Sequence, residues 1–158
     1  MKKSFKKVVF AAAVLSSTLA VHALPPPVTD MTQNRGYIGL VWTVGQSSAV
    51  PDLVVGLRYT KTDSASDVKG HDVSARFKLN GGMAFDSARA LYLNGNRSSQ
   101  ANVGLGYSAT YQSLFGTVGA SAEHLKLGLD YLYKPAKFDP FVEINTLKKP
   151  AVTEQLPN

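Results

Sequence analysis

Cysteine is absent from the 158 residues. The chain can therefore hold no disulfide, no thiolate metal site, no cysteine nucleophile and no lipidated N-terminal cysteine. Long apolar runs are scarce as well. The longest, from Val8 to Ala20, is interrupted by Ser16, Ser17 and Thr18 and is shorter than the ~20 residues a membrane-spanning helix needs. No stretch between Gly36 and Leu147 repeats its apolar residues at helical spacing. Acidic residues are outnumbered, 11 against 17 Lys and Arg, but the excess is local. Without Lys2, Lys3, Lys6 and Lys7, thirteen basic side chains face eleven acidic ones, a net charge of +2. Those thirteen do not cluster, so nucleic acid is not an expected partner.

What is present begins with an export pattern. A cationic start, the apolar run and Val21-His22-Ala23 together read as a secretory signal peptide over residues 1–23, cleaved after Ala23. The alternative is an uncleaved anchor helix. Export points to a bacterial periplasm, outer membrane or extracellular space, where the lack of cysteine is in keeping with an oxidising compartment. Three prolines, Pro25 to Pro27, cannot join a helix or a central strand. Residues 24–35 therefore read as an extended or disordered lead-in, and residues 148–158 as a polar tail.

Between them the period is two. Leu53, Val55, Leu57 and Tyr59 alternate with Asp52, Gly56, Arg58 and Thr60. Val73, Ala75, Phe77 and Leu79 alternate with Asp72, Ser74, Arg76 and Lys78, and the same holds for Val103 to Tyr111 and for Leu125 to Tyr133. Such alternation marks strands that are wet on one face and dry on the other. It predicts eight strands, near 36–45, 52–62, 71–80, 87–95, 101–112, 114–122, 124–134 and 138–147. In the fourth, Leu91 and Leu93 compete with Ala90 and Tyr92 for the apolar face. Asn80-Gly81 and Asn94-Gly95 suit tight turns, and residues 63–70 read as one of the longer connections.

A short pattern, apolar-Gly-Leu-x-aromatic, recurs at Ile38–Trp42, Val55–Tyr59, Val103–Tyr107 and Leu127–Tyr131. On a strand its apolar residue, Leu and aromatic share one face, and its Gly and x share the other. An up-and-down antiparallel β-barrel of about eight strands over residues 36–147 explains this, with small residues inward so that a narrow barrel can close. In this respect the chain resembles the small eight-stranded outer-membrane β-barrels of Gram-negative bacteria. Gly128-Leu129-Asp130-Tyr131-Leu132-Tyr133 is similar to the Gly-x-x-aromatic-x-aromatic signal of their last strand, although here it falls in the seventh. The resemblance implies an outward apolar face against outer-membrane lipid, with Trp42, Tyr59, Phe77, Tyr107, Tyr131 and Tyr133 facing lipid or its interface.

The other face carries Arg58, Arg76, Lys78, Lys126, Asp130 and Glu143. Eight strands leave no wide lumen, so these six are expected to form a buried ion network, the alternative being a polar conduit for ions. Catalytic candidates are few. Ser121, Glu123 and His124 could suggest a lipid-modifying hydrolase, but their spacing on a strand does not make them converge. Gly104-Leu105-Gly106 is followed by strand residues and Asn80-Gly81-Gly82 lacks a Lys-Ser/Thr, so neither forms a phosphate cradle. No metal-ligand spacing occurs. The expectation is a non-enzymatic barrel without cofactor, acting in envelope structure or through surface loops on an extracellular protein or other surface ligand. A soluble periplasmic or secreted barrel, binding an apolar ligand or a protein within the same alternation turned inside out, is the competing reading.

Overall fold

The computed structural model describes residues 30–46 and 48–152. The expected signal peptide, residues 24–29 of the expected lead-in and residues 153–158 of the expected tail lie outside them. Eight antiparallel strands follow one another in chain order: β1 Met31–Thr43, β2 Asp52–Thr62, β3 Asp67–Lys78, β4 Ala84–Asn96, β5 Gln100–Ser108, β6 Ser113–Ala122, β7 Leu125–Leu132 and β8 Lys137–Asn145. Each pairs with its chain neighbours, and β8 pairs with β1, which closes the barrel. No helix occurs among the described residues. The expected all-β, eight-stranded up-and-down barrel is the fold found.

Several boundaries differ from the sequence reading. β1 begins at Met31, so residues 31–35 belong to a strand although they carry no apolar alternation; their pairing to β2, from Met31↔Thr62 to Arg35↔Arg58, holds them there. β3 begins at Asp67, which shortens the expected 63–70 connection to residues 63–66. In that turn Asp63 Oδ1 accepts the backbone N–H groups of Ala65 and Asp67, each at 2.9 Å. Asn94-Gly95 lies within β4. The neighbouring turn is made by residues 97–99, where Asn96 Oδ1 accepts from the N–H groups of Ser98 and Ser99 at 2.9 and 3.0 Å. Gly81 and Gly82, by contrast, take the left-handed backbone expected of them, with φ of 83° and 116°.

With eight strands, β1 starts and β8 ends at the same mouth of the barrel, here called proximal. The proximal connections are residues 63–66, 97–99 and 123–124. The distal ones are residues 44–51, 79–83, 109–112 and 133–136, and are longer as a set. The expected polar tail is partly docked. Just before it, Leu147 is buried and belongs to one apolar cluster with Tyr37, Val41, Val54 and Phe141. Beyond it Arg97 Nε donates to the Pro150 carbonyl at 2.8 Å, and the Ala151 N–H donates to Gln33 Oε1 at 3.1 Å. Residues 146–152 thus cross the proximal mouth from β8 toward the β4–β5 turn.

The two faces are sharply divided. Ile38, Val55, Leu57, Val73, Val103, Leu105, Val118, Leu127 and Ile144 are all exposed on the outside, Leu57 at 70%. Asp72, Arg58, Arg89, Lys126 and Glu143 are buried inside. The recurring glycines sit on the inner face and make room there. A side chain at Gly56 would run into the Tyr37 ring, and one at Gly128 into the Phe141 ring. These two glycines each let a neighbouring strand's aromatic lie across the narrow lumen. In β4 the inner phase belongs to Arg89, Leu91 and Leu93, and the outer to Ala90 and Tyr92. This resolves the competition noted in that strand, because the inner surface turns apolar toward the proximal end, where Val68 joins Leu91 and Leu93.

Candidate functional site

The inward faces of β2, β3, β4, β7 and β8 bring together a charged cluster at the middle of the lumen. Asp72 is its hub. Arg58, its direct register partner across β2–β3, donates to Asp72 Oδ2 from Nε and Nη2 at 2.9 and 2.8 Å. Tyr37, lying over Gly56, donates its hydroxyl proton to Asp72 Oδ1 at 2.8 Å. From the far wall, Lys126 Nζ lies 3.4 Å from Asp72 Oδ2 and 3.3 Å from Glu143 Oε1, and donates to the Tyr37 oxygen at 3.1 Å. Glu143, the β8 register partner of Lys126, is held in turn by Arg89 Nη2 at 2.6 Å and by Asn145 Nδ2 at 3.0 Å. Arg89 spans the lumen from β4 and lays its guanidinium over the Phe141 ring, 4.7 Å from the centroid.

A second, looser group lies toward the distal mouth. Arg76 Nη2 is 3.7 Å from Asp130 Oδ2, and Thr117 Oγ1 donates to Asp130 Oδ1 at 2.6 Å. Nearer the rim Lys78 meets Asp86 at 3.2 Å, and Thr110 donates to the same carboxylate at 2.6 Å. Between these groups is a cleft of about 30 Å³, enough for one or two water molecules.

Five of the six residues expected inside lie within the barrel and Lys78 stands at its rim with its side chain 35% exposed, and the six do not form one network. Arg58, Lys126 and Glu143 belong to the central cluster, Arg76 and Asp130 to the distal group, and Lys78 to the rim. The cluster also needs Tyr37, Asp72 and Arg89, which the sequence reading did not single out as members. Asp72 was visible on the polar phase of β3. Arg89 was hidden by its phase-mates Leu91 and Leu93, and Tyr37 by its likeness to the outward aromatics. Of those, Tyr59, Tyr107 and Tyr133 are exposed on the outer face, while Trp42, Phe77 and Tyr131 are half-buried there against neighbours. Tyr131 packs on Tyr133 and Phe138, with ring centroids 5.5 and 4.7 Å apart, and Phe77 packs on Phe85 at 5.8 Å.

Chemically, the cluster holds charge and fills space. Its acceptors are occupied by fixed donors, and across the middle of the lumen the side chains of Tyr37, Arg58, Lys126 and Arg89 meet. Of the hydrolase candidates only Glu123 and His124 are neighbours, with His124 Nε2 3.8 Å from Glu123 Oε1. Ser121 faces the lumen and donates to Asn102 Oδ1 at 2.9 Å, whereas His124 sits in the proximal β6–β7 turn with Nδ1 3.0 Å from the Asn145 carbonyl. Among the described residues no group of three His, Asp or Glu is placed to hold a metal ion. No family model, curated protein or solved structure matches the chain.

Proposed function

We propose that the protein is a non-enzymatic outer-membrane β-barrel whose filled body stands in lipid and whose distal connections meet the exterior. The observation that carries this reading is the direction of the faces. Among the described residues, the outward-pointing positions of the eight strands carry formal charge at Lys61, Asp67 and Lys69 alone, all at the proximal end of the β2–β3 hairpin. Exposed apolar side chains surround the barrel elsewhere, far more than the few hundred Å² of apolar patch that a monomer in water tolerates. The arrangement also has bands. Tyr59 and Tyr92 lie toward the proximal end; Trp42, Phe77, Phe85, Tyr107, Tyr131, Tyr133 and Phe138 lie toward the distal end; aliphatic residues fill the space between. On β4 the stretch from Phe85 to Tyr92 spans this belt. Eight to ten residues at ~3.3 Å each, tilted by ~40°, rise about 20–25 Å, which suits the apolar height of such barrels. A soluble barrel that binds an apolar ligand needs the reverse sidedness.

A structural or loop-mediated role follows from the plugged lumen, since an ion would have to displace a hub of mutually paired charges to pass. The experiment is fractionation of the producing cells, followed by electrophoresis with and without boiling. Enrichment with the outer membrane and a heat-shifted band are expected. Recovery in the soluble fraction would overturn the reading and point to a soluble barrel instead.

A further inference from the structure

We propose that the proximal outer face of the β2–β3 hairpin is a seat for one amine-headed zwitterionic phospholipid, an inference that rests on the lipid-facing reading above. The outward register pairs of this hairpin, taken inward from the rim, are Lys61–Lys69, Tyr59–His71, Leu57–Val73 and Val55–Ala75. Their order of charged, amphipathic and then apolar matches that of headgroup, glycerol ester and acyl chain.

Two concave features lie along this ladder. At the rim, a cleft of about 170 Å³ is lined by Asp30, Lys61, Asp63, Asp67 and Lys69. Within the belt, an apolar groove of about 390 Å³ runs over Gly36, Gly56, Leu57, Val73 and Ala75. It is open because Gly36, on the outer face beside Leu57, presents no side chain. Between the two stand Tyr59 and His71, the latter packed on Tyr92 with ring centroids 5.6 Å apart.

The charges in the cleft choose the headgroup. Lysines directly opposite each other on a sheet repel. Lys61 is compensated by Asp30, at 2.5 Å, and one oxygen of Asp63 is taken up by the turn. Among the described residues, Lys69 and Asp67 make no ion pair. They share a face two residues apart, about 7 Å along the strand. One bare cation and one bare anion at that spacing can receive a phosphate and an ammonium joined by a short link. A purely anionic headgroup would bring its charge against Asp63 and Asp67, which have no cation paired to them among the described residues, with no amine to answer them. A quaternary ammonium carries no N–H to donate to Asp67.

The test uses the full-length protein in vesicles of phosphatidylethanolamine, phosphatidylglycerol and phosphatidylcholine in equal parts, with retained lipid counted by native mass spectrometry. Wild type should retain one phosphatidylethanolamine at least about threefold in excess of either other lipid. Lys69→Ala and Asp67→Asn should each bring the excess to parity, while Asn94→Ala, at the same rim, should leave it intact. Both test positions are exposed, and the heat-shifted band checks that the variants fold. Flotation with the vesicles but no preference, a preference for phosphatidylglycerol, or a preference unchanged in both variants would remove the seat alone. Failure to float would remove the seat and the lipid-facing reading together.

Discussion

Replacing Asp72 with alanine withdraws the hub of the lumen and leaves its cations facing one another. The carboxylate is fully buried and accepts from Tyr37 and twice from Arg58, with Lys126 at 3.4 Å. After the change Arg58, Lys126 and Arg89 face Glu143 alone. Removing one partner of a buried pair costs about 3–5 kcal/mol, because the remaining charge stays desolvated. Asp72→Ala should therefore lower unfolding stability by about that much. Arg58→Met/Asp72→Ala should lose less than the two single changes summed, with a coupling of about 1–3 kcal/mol. The assay is urea unfolding in detergent micelles, followed by the fluorescence of Trp42, the single tryptophan. A loss under about 1 kcal/mol, or strictly additive single changes, would refute the claim that these charges are mutually paired in a closed, dry lumen.

Other consequences can be measured alongside it. Gly56→Val places a branched side chain against the Tyr37 ring, and the overpacking should cost about 1–3 kcal/mol in the same titration. Leu147→Ala empties a buried position among Tyr37, Val41, Val54 and Phe141 and should cost about 2–4 kcal/mol; a neutral result would mean that the docked segment does not help to close the proximal end. Leu105→Arg puts a charge into the middle of the outer belt. It should cost about 2–4 kcal/mol in lipid, and an unchanged stability there would argue that this face meets water. Reconstituted in a planar bilayer, the wild-type barrel should pass no steady current, whereas regular conductance steps would revive the conduit alternative.

Much of this architecture is legible because a barrel wall imposes one rule on every strand. Where the inner phase is polar and the outer apolar, as in Val55 to Thr60 or Lys126 to Tyr131, alternation alone tells the faces apart. The rule fails where the lumen itself turns apolar. Leu91 and Leu93 then match the outer residues in character, and the phase of Arg89 is lost with them. It fails again at residues 31–35, whose strand is set by pairing to β2 and not by their own pattern. Partnership within the site divides in the same way. Arg58–Asp72 and Lys126–Glu143 are register neighbours, whereas Arg89–Glu143 and Tyr37–Asp72 reach between strands that do not pair. Such reach depends on how far the strands stagger when the sheet closes, and one-dimensional periodicity does not carry that quantity.

The sidedness of the barrel is the claim on which the functional reading stands, and Trp42 offers the most direct test of it. Its ring lies on the outer face of β1, toward the distal end of the belt. The folded protein should be placed in vesicles whose acyl chains carry bromine at defined depths. The account predicts strong quenching of Trp42 by chain bromines near the headgroups, weaker quenching by those near the midplane, and little by aqueous iodide. Efficient iodide quenching with no response to brominated chains would contradict it.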